Sequence, residues 1–174
     1  MTEYTQNPSL LKHALAVEAA MRWHAARGGH DVEVWGAVGL LHDFDYQRWP
    51  SFPDHPRQGG EILREHGVAE ELIRAIAAHV PATGIPRETP LARTLFAVDE
   101  LCGFITAVAL VRTSKVLTDV TVQSVRKKLK DKRFAAAVSR EDIATGTAEL
   151  GLSLDELIGS VLAALQPGSC PSRS

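Results

Sequence analysis

Apolar residues in this chain recur at three- and four-residue spacing almost from end to end, with almost no alternation of apolar and polar positions. That periodicity commits the backbone to helices. A helix places positions i, i+3, i+4 and i+7 on one face, whereas a strand needs period two. Starts and stops are written at the breaks. Asn7-Pro8-Ser9 offers a cap and then a proline at the first helical position, and the helix it opens is predicted to reach about residue 26, before Gly28-Gly29. Asp31 can cap a second helix to about residue 43. Residues 44–56 carry three prolines among aromatic residues and read as an ordered loop. A third helix is predicted over about 57–66, closed by Gly67, and a fourth over about 70–79, stopped by Pro81. Thr89-Pro90 opens a long apolar fifth helix to about residue 111. An amphipathic basic helix follows over about 118–132, then one from Ser139 to near Gly151. The last, to about residue 165, opens on the capping box Ser153-Leu154-Asp155-Glu156.

The fold expected is therefore all-α, a compact multi-helix bundle over 1–165 with a frayed tail over 166–174. The 174 residues, 45% apolar and 23% charged, suffice for one core without staples. Cys102 lies in an apolar segment and Cys170 in a Pro/Ser tail, so no disulfide framework is implied. A net charge of −2 supplies no global attraction for nucleic acid or an acidic membrane, and neither partner is expected. No apolar run approaches the roughly 20 residues of a membrane span. The opening residues show neither the basic nor the apolar region of a secretion leader, which points to the cytoplasm.

The chemistry lies in polar residues on apolar faces. His42 shares a face with Trp35, Val38 and Gly39, and Asp43 sits about 100° around from it. His13 lies on a stripe with Leu10, Val17 and Ala20, and His79 follows Leu72, Ala75 and Ile76. Asp99 stands inside the most apolar helix, with Leu95 and Cys102 on its face. A lone inward histidine is more often a hydrogen-bonded core residue than a ligand. Imidazoles and carboxylates converging from four helices are another matter, because a metal satisfies both at once and burial without partners is costly. His66 ends a helix beside Gly67, where a cation suits the helix dipole. His24 and His30 flank a Gly-rich turn and read as solvated, although His24 continues the His13 stripe.

In its order, His13, then His42-Asp43, then His79, then Asp99, the chain resembles the HD-domain superfamily of metal-dependent phosphohydrolases over about residues 10–112. The resemblance implies that His13, His42, Asp43 and Asp99 bind one metal. The segment His55-Pro56-Arg57-Gln58-Gly59-Gly60-Glu61-Ile62-Leu63 is similar to the His-x-x-x-Gly-Ala-Glu-Ile-Leu stretch of dinuclear members. His55 and His79 would then complete a second position, with Asp43 bridging two divalent metals (Fe, Mn, Mg or Zn). Asp99-Glu100-Leu101-Cys102-Gly103-Phe104-Ile105 resembles a stretch of small bacterial HD hydrolases.

Two departures narrow the reading. Where many dinuclear members have His-Asp-Ile-Gly-Lys, this chain has His42-Asp43-Phe44-Asp45-Tyr46. Val80 follows His79 and no Gly-Tyr-Pro occurs, which argues against a cyclic dinucleotide phosphodiesterase. The expected activity is hydrolysis of a small phosphate ester, a nucleotide among the candidates, by metal-activated water. Asp45 joins Asp43 as a catalytic candidate, either as an acceptor behind the ligands or a general base, and equally reads as a loop cap. Arg48, Arg57, Arg112, Lys115 and Lys128 are the candidate phosphate cations. The run 126–133, which contains Lys128, reads by default as a solvated face and lacks aromatic residues to stack bases. The alternatives are a mixed-valent diiron oxygenase, in which Tyr4 would cover the site, and a metal-binding module without turnover.

Overall fold

The computed structural model describes residues 1–166, among which there are eight α-helices and no strand. The expected tail, with Cys170, lies outside the described residues from residue 167 on. Asn7 accepts a hydrogen bond from the Ser9 backbone N–H at 2.8 Å and, with Pro8 beside it, starts α1 (Pro8–Gly28). Asp31 accepts from the N–H groups of Glu33 and Val34 at the start of α2 (Val32–Leu41). α3 (Asp54–Glu65) begins three residues before the predicted start, and α4 (Glu70–Ala77) ends two before its predicted end. His55 within α3 is extended (φ −84°, ψ 129°), the conformation imposed on a residue that precedes proline. α5 (Pro90–Leu110) is the central helix, capped by Thr89.

The sixth helix is shorter than its amphipathic pattern. α6 (Val122–Leu129) starts only where Thr121 and Ser124 form a capping box, because Val120 and Thr121 are both extended. α7 (Arg140–Glu149) and α8 (Leu154–Ala164) open on Ser139 and Ser153 as the sequence predicts.

One continuous apolar cluster joins these elements: Val17 and Met21 of α1, Leu95, Leu101 and Phe104 of α5, Val125 of α6 and Leu157 and Ile158 of α8. α1 and α2 approach closely at Gly39, where a Cβ would lie 2.9 Å from Met21 Cγ and 3.0 Å from the Val17 carbonyl. The same helix pair is tied by Arg22, whose buried guanidinium donates to Glu33 at 2.7 and 2.9 Å and to Glu18 at 2.9 Å. With α2 held against α1, its last turn carries His42 to the face of α5 that bears Asp99. No helix among the described residues is long and apolar enough to cross a membrane.

Candidate metal centre

Six side chains converge at one end of this core: His13 from α1, His42 and Asp43 from the end of α2, His55 from the start of α3, His79 just beyond α4 and Asp99 from the middle of α5. Asp43 organises them. Its Oδ2 stands 3.4 Å from His42 Nε2 and 3.9 Å from His13 Nε2. Its Oδ1 stands 3.3 Å from His55 Nε2 and 3.2 Å from His79 Nε2. Asp99 Oδ1 lies on the first side, 2.9 Å from His13 Nε2 and 3.3 Å from His42 Nε2. One carboxylate thus faces two imidazole pairs, one with each oxygen.

The ring nitrogens pointing away from the centre fix how these imidazoles present themselves. His42 Nδ1 donates to the Gly39 carbonyl at 2.8 Å, and His79 Nδ1 donates to the Ile76 carbonyl at 2.5 Å. A carbonyl only accepts, so both Nδ1 atoms carry the proton and both Nε2 atoms turn a lone pair inward when the rings are neutral. His55 Nδ1 stands 2.8 Å from Asp45 Oδ1, which imposes the same orientation. Lone pairs then face carboxylate oxygens, an arrangement that demands a cation between them. His42 Nε2 is fully buried and has no hydrogen-bond partner among the described residues. This donor set of four imidazoles and two carboxylates, with an orphaned buried Nε2 at its heart, fits a divalent metal.

With protons as the only cations the strain appears in the acidities. Burial alone would lower the His42 pKa, but Asp43 and Asp99 outweigh it and hold the ring well above the ordinary histidine value. Burial opposes ionisation of Asp43 and Asp99 too, yet the imidazoles keep both well below the usual carboxylate range. His55, despite burial, is pushed up to about 9 by Asp43 and Asp45.

Asp45 is 1% exposed and both its oxygens are engaged, one with His55 Nδ1 and the other accepting the Gly59 N–H at 2.9 Å. It does not line the cavity above the centre, so a general-base role in contact with substrate does not fit this geometry. It is the acceptor behind His55. The glycine is required: a Cβ on Gly59 would come within 2.7 Å of the Asp45 carboxylate.

The cations expected to hold phosphate lie elsewhere. Arg48 donates to the Glu3 carbonyl and covers the Tyr4 ring. Arg57 pairs with Asp54 and Glu61, its neighbours at helical spacing, and lines a separate groove. Asp99 is eleven residues from the end of α5, roughly 16 Å along the axis, and Arg112, Lys115 and Lys128 lie beyond or beside that far end. Lys128 stands over the Phe134 ring. Tyr4 packs edge-on against Phe44 and does not cover the site.

Over the centre opens a cavity of about 560 Å³. His13, Asp43, His55, His79 and Asp99 reach its floor, and Tyr46, edge-on to His55, with Phe52 and Phe96 forms an aromatic part of the wall. Glu100 and Asp142 also line it, and no Lys or Arg does so among the described residues. Sequence reasoning missed Tyr46, Glu100 and Asp142 as site residues. The adjacency of Glu100 to Asp99 was an available signal, but nothing in the sequence brings Asp142 here.

A model of the HD domain matches residues 10–103. Ribonuclease Y of Lawsonia intracellularis is 36% identical over 106 residues, and Ribonuclease Y of two strains of Nitratidesulfovibrio vulgaris is 34% identical over 107. These alignments take in 59% of this chain but 19% of each relative, so the chain spans about a fifth of their length. No solved structure gives a significant match.

Proposed function

The chain belongs to the HD-domain family of metal-dependent phosphohydrolases, and from that premise we propose that it hydrolyses a small phosphate ester at a centre of two divalent metals. His13, His42, Asp99 and Oδ2 of Asp43 would hold one metal, and His55, His79 and Oδ1 of Asp43 the other. The observation that carries this reading is the division of the Asp43 oxygens between two separate imidazole pairs. When bound, such metals supply Lewis acidity, which makes water a nucleophile near neutral pH and neutralises phosphoryl charge.

The protein's own groups prepare that chemistry. The Gly39 and Ile76 carbonyls keep the His42 and His79 protons on Nδ1, so both Nε2 atoms stay available without reorganisation. Asp45 does the same for His55 and, being a carboxylate, raises the basicity of that ring. Phe52, Phe96 and Leu10 supply apolar surface to the cavity in which the reacting group would lie.

The test, under strict anaerobiosis, is release of inorganic phosphate from nucleoside monophosphates and simple phosphate esters, together with strand cleavage of short RNA, whose hydrolysis leaves the phosphate on a new strand end. RNA belongs in the panel because the curated relatives are named ribonucleases. Release that persists without oxygen and disappears in Asp43→Ala supports the proposal. No release, with two irons bound and oxygen taken up only with substrate, would transfer the site to oxygenase chemistry. Metal retention with neither activity would make it a binding module.

A further inference from the structure

The cavity over the metal centre is chemically two-sided. Its floor carries the imidazoles and carboxylates of the family-matched segment, residues 10–103. Part of its wall comes from outside that segment: Ala137 and Val138 of the loop between α6 and α7, and Asp142 in the first turn of α7. This wall is built firmly. The Arg140 guanidinium lies over Phe104 and donates to the carbonyls of Asp131, Phe134, Ala135 and Val138. Glu100 accepts the Ser139 N–H at 3.1 Å, which ties the loop to α5 beside Asp99.

Asp142 lines the cavity and, among the described residues, no Lys, Arg or His forms an ion pair with it. Arg87, the cation whose field reaches it, is committed to Glu149 at 2.6 and 2.7 Å and lies flat over Phe96. An acidic residue in a first helical turn also suits the helix dipole, which accounts for the residue type. That does not account for a cavity wall that sets the Asp142 carboxylate, and beside it the Glu100 carboxyl pushed up to about 7 by burial and by Asp99, against the rings of Tyr46, Phe52 and Phe96, with no Lys or Arg among its described residues. Carboxylates repel a second anion, and aromatic faces together with carboxylates attract an organic cation.

We propose that the substrate carries an ammonium-type cation at the end remote from its phosphate, recognised by Asp142 and Glu100 against the aromatic wall. The inference rests on the phosphohydrolase reading for the placement of the phosphate end. Polyphosphates and phosphates with a remote carboxylate are excluded as good ligands by the same charges.

The experiment measures affinity rather than turnover. Metal-loaded protein is titrated calorimetrically with three esters of similar length: 2-aminoethyl phosphate, 2-hydroxyethyl phosphate and phosphoglycolate. The expected order is amine, then hydroxyl, then carboxylate, with roughly tenfold between the first two, the size of one partly solvated ion pair. Asp142→Asn and Glu100→Gln, the latter keeping an acceptor for Ser139, should each cut that preference several-fold, and Asp142→Lys should invert it. Metal stoichiometry and melting temperature, measured on each variant, identify any that has lost the site itself. Equal affinities in the wild type, tightest binding of phosphoglycolate, no binding of any ester, or a preference untouched by Asp142→Lys overturns the proposal. Amine selectivity without phosphate release sinks the hydrolase and leaves the recognition standing. Phosphate release without amine selectivity does the reverse.

Discussion

Asp45→Asn is the most informative single change at the centre, because it alters no ligand and almost no volume. The carboxylate is buried between two donors, His55 Nδ1 at 2.8 Å and the Gly59 N–H at 2.9 Å. An amide has one oxygen for two donors, so its NH₂ must face either the glycine N–H or the imidazole. In the first case a buried donor loses its partner, which costs about 1–3 kcal/mol. In the second His55 accepts from the amide at Nδ1 and carries its proton on Nε2, the atom that stands 3.3 Å from Asp43. Ligand geometry survives while the lone pair is removed. Loss of such a supporting partner typically weakens metal affinity by about 10- to 100-fold. The assay is equilibrium metal titration against a competing chelator, resolving the two affinities. We expect the step assigned to His55 and His79 to fall by that factor and the step assigned to His13, His42 and Asp99 to change by less than threefold. Both steps unchanged, or both weakened equally, would refute the argument that Asp45 acts through His55.

Three further outcomes follow from the same geometry. Asp43→Ala should empty both metal positions and His55→Ala mainly one, read by elemental analysis of protein purified from iron- or manganese-fed cells; full stoichiometry in His55→Ala would make the centre mononuclear. Chelation should lower the melting temperature by several degrees, since a ligand at 100 times its Kd contributes about 2.7 kcal/mol, and His30→Ala and His66→Ala should show the same shift as wild type; an unchanged curve after verified metal removal would deny the six residues a metal. His24, half-buried with Nε2 3.1 Å from Ser160 Oγ, is lowered to about 4 by burial and then by Arg27. The unfolded chain therefore takes up this proton first, near the ordinary value of about 6.5, so the contribution of His24 is complete above that pH and declines as pH falls from there to about 4. Urea denaturation in chelator should show wild type losing about 1–2 kcal/mol more than His24→Gln between pH 7.5 and 4.5, discounted for partial solvation of the ring; parallel losses would contradict this.

Most helix starts were legible in the sequence because caps act locally. Asn7, Asp31, Thr89, Ser139 and Ser153 each satisfy N–H groups two or three residues away, a distance at which residue type alone decides. The six centre residues were legible for a related reason. Helical spacing put His13, His42, His79 and Asp99 on apolar faces, and an inward polar side chain in a helix has few physical explanations. His55 came from its resemblance to a family motif rather than from periodicity.

Charge placement was not legible. Arg48 and Arg57 are near the doublet in sequence, but each finds closer partners, the Glu3 carbonyl for one and Asp54 with Glu61 for the other. Arg112, Lys115 and Lys128 follow Asp99 along the chain and are carried away from it by the length of α5. The reverse holds for Asp142, forty-three residues from Asp99 in sequence and beside the same cavity. Periodicity specifies which face of a helix is buried but not which other helix it meets. The identities of the centre residues and most helix starts therefore belong to the sequence alone. The place of Asp45 behind His55, and the acidic, aromatic wall of the cavity, were decided only when α3 met the segment after α2 and α7 packed on α5.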